Sequence, residues 1–168
     1  MTFTTRIISR LFVVAAIGAA PIGAANAAET TIRASAKVVK SLTLAKKQDL
    51  DFGTVTLSGT PGTYTVSLSQ TGVLSCPAGA TCAGAPTPGI MNVQGSNNNT
   101  VRIVVASTNL VNAINGTSIA FTPIAPTTLA ITNSGAPGHD FNIGGSIVIP
   151  STADGTYSGN VQVTVEYQ

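Results

Sequence analysis

Beyond residue 27 the chain never sustains the 3.6-residue apolar period of an amphipathic helix. Apolar and polar residues alternate instead, in short runs cut by glycine, proline and asparagine. A period of two sends successive side chains to opposite faces of a strand, so such a chain buries its apolar residues by stacking sheets. Composition points the same way. Only 8% of residues are charged, and 17 glycines and nine prolines are available for turns.

The expected strands can be read in order. Ile32, Ala34, Ala36 and Val38 share one face of a first strand, with Arg33, Ser35 and Lys37 on the other. A bulge or switch at Val39-Lys40 leads into Ser41–Ala45, and Leu50 and Phe52 then point the same way. Thr63–Ser69, Ile90–Val93, Val101–Ala106, Leu110–Ile114, Ser118–Phe121, Thr127–Ile131, Phe141–Ile149 and Asn160–Tyr167 follow. Asn115-Gly116 is expected as a two-residue hairpin turn, because both positions need positive φ. The fold class is therefore all-β: an immunoglobulin-like two-sheet sandwich of about eight or nine short antiparallel strands.

Residues 1–27 read as a cleaved signal peptide. Arg6 and Arg10 precede the apolar run Leu11–Ala20, and Ala25-Asn26-Ala27 is a small-x-small cleavage signal, placing the cut before Ala28. That run is shorter than the roughly 20 apolar residues a spanning helix needs, so no stable membrane span is expected. Residues 28–168 are expected as one β-sandwich domain, exported through the periplasm to the cell surface or beyond. Only Ala28–Thr31 separate the cut from the first strand, so no long extension is expected before it.

Two of the eight basic residues leave with the signal peptide, and the remaining six balance six acids. A neutral domain offers no electrostatic case for nucleic acid. Cys76 and Cys82 are the only cysteines and flank a short Pro/Gly loop, so in an oxidising compartment they are expected to pair. His139 is the only histidine and cannot build a zinc site alone. Its neighbour Asp140 could join a Ser–His–Asp triad, but no nucleophile elbow accompanies them. Asp49 and Asp51 read as solvent-facing charges flanking core Leu50 rather than as a calcium loop. No enzyme activity, cofactor or metal is expected. Asn98-Asn99-Thr100 and Asn115-Gly116-Thr117 match the glycosylation pattern but read as turns.

The most informative stretch is the end of the chain. Val161, Val163, Val165 and Tyr167 form one apolar face, Tyr167 is penultimate, and Gly155 stands fourteenth from the end. This resembles the C-terminal signature of chaperone–usher pilins and of spore coat protein U-like domains. The resemblance implies that the last strand pairs with a periplasmic chaperone and later borders a groove filled by a neighbour's strand. The physics is strand addition, in which main-chain bonds give affinity and alternate side chains enter pockets. The wider layout is similar to a family of exported bacterial proteins described as domain of unknown function 4402. The similarity covers nearly the whole mature chain and runs through the Ala/Val first strand, Leu42-Thr43-Leu44, Asp49–Gly53, Phe141–Gly145 and Gly155–Tyr167.

The function expected from these features is that of a non-catalytic, pilin-like structural subunit of a bacterial surface fibre or coat. Gly155, Val161, Val163, Val165 and Tyr167 would serve strand pairing and assembly. The partners would be further copies of the chain, a periplasmic chaperone or an outer-membrane assembly protein. The alternative is a self-complete surface module with an adhesive or carbohydrate-binding role, which the scarcity of aromatics (no Trp, three Tyr) disfavours.

Overall fold

In the computed structural model, which describes residues 27–168, the alternating runs become twelve strands, with no helix among the described residues. They are β1 (Thr43–Gln48), β2 (Thr54–Leu57), β3 (Thr63–Leu68), β4 (Leu74–Ser75), β5 (Ala80–Ala83) and β6 (Gly89–Gln94). Then come β7 (Asn99–Val105), β8 (Thr108–Val111), β9 (Ser118–Ile124), β10 (Thr128–Ile131), β11 (His139–Pro150) and β12 (Val163–Tyr167). The expected signal peptide lies outside the described residues apart from Ala27. Among the described residues no helix is long and apolar enough to cross a membrane.

One layer of the sandwich is a seven-stranded sheet organised by β11. The first half of β11 pairs antiparallel with β6, which in turn pairs with β1. Its second half pairs with β3 on one side and β9 on the other; β4 extends β3, and β8 extends β9. The sequence explains this length. Phe141, Ile143, Ile147 and Ile149 keep one parity throughout β11, and all four are buried.

The second layer is built from two separate pieces. A three-stranded sheet, β10-β7-β12, packs over the β6 end, where Val93, Ile103, Phe141 and Ile143 form a core flanked by Leu129, Val163 and Val165. A two-stranded sheet, β2-β5, packs over the β3-β9 end. There Phe52, Tyr64, Val66, Leu68, Ile119, Phe121, Ile147 and Ile149 form the larger core, against Val55, Leu57, Ala80 and Cys82. Phe121 is 1% exposed and meets Phe52 edge to face at 6.1 Å between ring centres. Burying a side chain of this kind contributes about 1.5–3 kcal/mol.

Two sequence expectations need correction. The first strand expected at Ile32–Val38 does not form: residues 27–41 carry no strand and are exposed. Ile32 is 92% and Val38 91% exposed. Alternation makes a segment competent for a sheet, but a strand also needs an edge to pair with. Ladder pairing starts only at Thr43, opposite Gln94, and Lys37–Gln168 form a compact unit separate from the residues before them. The chain therefore does carry an unpaired segment ahead of its first strand. The second correction concerns Asn115-Gly116. β8 ends at Val111 and β9 starts at Ser118, so the connection is longer than two residues. The Asn112 N–H donates to Thr117 O, and the Gly116 N–H donates to Asn112 O. Asn112 is drawn in because its side chain is needed there: Nδ2 donates to Asp154 O at 2.9 Å, and Oδ1 accepts from the Ile114 N–H.

Candidate strand-docking site

The break in the second layer is a cleft of about 1150 Å³. It lies over the inner face of the large sheet, where Ile119, Phe121, Ile147 and Ile149 line it but are buried in the larger core. One wall is β2 with the residues leading into it. The other is residues 151–161 and the start of β12. β2 pairs only with β5, and β12 only with β7, so each wall strand has one edge without a ladder partner. Small-ligand pockets commonly occupy roughly 300–1,000 Å³. This cleft exceeds that range and is bounded by strand edges.

The chemistry of the β12 wall follows from the antiparallel pattern, in which alternate residues aim both backbone groups at the same neighbour. The Ala106 N–H donates to Gln162 O, and the Gln168 N–H donates to Thr100 O. With Thr164 opposite Val104 and Glu166 opposite Arg102, the even-numbered residues bond to β7. The odd-numbered backbone groups, from Val161 to Tyr167, therefore point to the free edge. The side chains of those same residues point into the sandwich. Val161 packs on the larger core and Val163 and Val165 on the smaller one, yet all three stay only half-buried. Unsatisfied backbone edge groups beside half-covered apolar side chains are what an added strand would satisfy.

Of the five expected assembly residues, Gly155, Val161 and Val163 line the cleft, and Val165 and Tyr167 do not. Val161, Val163, Val165 and Tyr167 share one face, although regular strand begins at Val163 rather than Asn160. Gly155 is not in the ladder. It sits in the cleft wall with φ +98°, and the Asn112 amide occupies the space a Cβ would need. Its role is to let that wall close against Asn112.

Cys76 and Cys82 are bonded, with Cα atoms 6.1 Å apart. Cys82 lies on β5 opposite Val55 of β2, so the bond braces the far wall of the cleft. Closing this short loop contributes about 2 kcal/mol by the chain-entropy relation. Reduction is expected to lower unfolding stability by about that amount. Chemical denaturation with and without reductant checks it, and superimposable curves would mean that the bond braces nothing.

The other singled-out side chains make local contacts. His139 Nε2 accepts from the Thr132 N–H at 3.1 Å. Asp140 is held by Lys47 Nζ at 2.6 Å and by the Asn92 amide. These two partners, Lys47 first, keep its carboxyl below the usual carboxylate range. A carboxyl lowered on folding stabilises above its unfolded pKa and loses that contribution as pH falls through the folded value. Asp49 pairs with Lys46 at 2.7 Å, and Asp51 Oδ1 accepts from the Gly53 N–H. Asn115 Oδ1 accepts from the Thr117 N–H and hydroxyl, a local turn. Among the described residues no cluster of three metal-ligating side chains forms.

The sequence missed the β2 wall, because Thr54–Leu57 is short and its partner lies within the cysteine loop. It also missed Gly95 and Ser96, polar turn residues with no chemical signature of their own. The family model described as domain of unknown function (DUF4402) covers residues 42–167. No curated protein and no solved structure matches the chain.

Proposed function

The chain belongs to the family described as domain of unknown function 4402, and from that premise we propose that it is a non-catalytic structural subunit of a bacterial surface fibre or coat, exported and then assembled by strand addition. One observation carries this reading: an exposed, alternating apolar segment coexists with a cleft walled by half-buried apolar residues and unpaired strand edges. Ile32–Val38 has the same length in residues as Val161–Tyr167, and its apolar residues recur every second position as a docked strand requires. The occupant proposed for the cleft is this segment of a second copy. During export, the same edge would be offered to a periplasmic chaperone.

The test is electron microscopy and size-exclusion of material sheared from the native cell surface. Polymers containing the chain support the subunit reading. Protein that remains monomeric there would remove it, and would favour the self-complete surface module.

A further inference from the structure

The hydroxyl of Tyr167 accepts from the Ser96 N–H at 2.7 Å and donates to the Lys40 carbonyl at 2.7 Å. The Lys40 N–H donates in turn to Ser96 Oγ at 2.7 Å. Lys40 is thus gripped at both of its backbone groups, and one bond of each kind runs through a different partner. The grip is itself anchored. Ser96 follows β6, and Tyr167 ends β12, where the Gln168 N–H donates to Thr100 O. It is also built for this ring: a Cβ at Gly95 would collide with the Tyr167 hydroxyl and crowd Leu42 and Ile131. Position 95 must therefore lack a side chain for the tyrosine to seat.

The location gives the contact its meaning. Ladder pairing begins at Thr43, and residues 27–41 carry no strand. Lys40 is thus held on the unpaired side, three residues before pairing begins. A simple apolar plug would not need the hydroxyl, since Leu or Phe would fill the same space. The two bonds at the ring's tip act on a backbone carbonyl and a backbone amide, so they fix the path of the main chain. We propose that Tyr167 is a positioning residue, clamping the root of the N-terminal segment so that the segment leaves each subunit in one direction and sets the orientation of the next copy. This rests on the strand-addition reading above.

The experiment uses the mature chain with Tyr167→Phe, which keeps the ring and removes only the hydroxyl, and Ser96→Ala, which removes the bond to the Lys40 N–H. Trypsin reports on the clamp in the monomer. In wild type, the bonds after Arg33 and Lys37 are expected to cut quickly and the Lys40–Ser41 bond slowly. Loss of the clamp is expected to speed cleavage at Lys40–Ser41 about tenfold, the scale of one or two lost hydrogen bonds, in both variants. Cleavage after Arg33 should not change. Helical reconstruction of the polymers then reads orientation: Tyr167→Phe fibres are expected to show variable twist where wild type shows one.

Unchanged protection at Lys40–Ser41 in Tyr167→Phe overturns the clamp. Accelerated cleavage with wild-type twist overturns its role in orientation. A wild-type chain that never polymerises counts against strand addition instead, while the proteolysis result still decides the clamp. Ser96→Ala guards against a folding defect peculiar to the C-terminus, since it touches the same clamp from β6.

Discussion

Val163→Asp is expected to abolish accumulation of folded protein, while Gln162→Asp accumulates as wild type. The two positions are adjacent, so the contrast isolates the face they occupy. Val163 packs against the core of Val93, Ile103, Phe141 and Ile143. A carboxylate there must sit half-buried against that core without a partner, at a cost of up to several kcal/mol. Domains of this size have only about 5–15 kcal/mol of stability in total. Gln162 is exposed, and a polar exchange on the solvent face costs under about 0.5 kcal/mol. The measurement is soluble yield together with denaturation of whatever is recovered. Equal yields would mean that β12 is not seated in this register.

The second large effect is on assembly. The double variant Ile32→Asp, Val38→Asp is expected to eliminate polymer and leave the monomer unchanged in stability. Both side chains are more than nine-tenths exposed, so charging them costs the isolated chain almost nothing. If the same side chains enter a neighbour's cleft, each charge must be desolvated without a partner, again at several kcal/mol. Two such penalties correspond to a loss of association of roughly a thousandfold or more. Polymer yield and monomer melting temperature are read side by side. A polymer of normal yield would show that some other surface joins the copies, and a destabilised monomer would show that the segment serves its own domain.

Much of the architecture was legible because alternation is local. Phe141–Ile149 announces β11 through four large apolar residues of one parity, and the face formed by Val161, Val163, Val165 and Tyr167 follows from the same rule. The cysteine pair was legible because only two cysteines exist and they are close in sequence. What was not legible depends on partners far along the chain. Ile32–Val38 has an alternating pattern as clear as that of Thr63–Leu68. Yet the latter finds β11 and β4, whereas the former has no edge to pair with among the described residues. The cleft is invisible for the same reason, since an interrupted layer is a property of which strands fail to meet. The tyrosine at position 167 stood out by its place near the end of the chain, but its hydroxyl partners, Ser96 and Lys40, are 71 and 127 residues away.

The position of β11 has a kinetic consequence. It is the strand that joins the halves of the large sheet, and it lies near the end of the chain. Gly145 pairs with Leu68, 77 positions earlier (145 − 68), and Phe141 pairs with Met91, 50 positions earlier (141 − 91). Before β11 emerges, β3 has only the two-residue β4 beside it, and β6 has only β1. Short two-stranded pieces are marginal in water. The part of the chain before β11 thus has no stable resting point, and the loop-closure entropy must be met before distant pairings reward it. Folding is expected to be slow, on the millisecond-to-second scale of all-β domains, and to begin only after β11 has been made. A nascent chain with that schedule remains extended and threadable until β11 emerges from the ribosome.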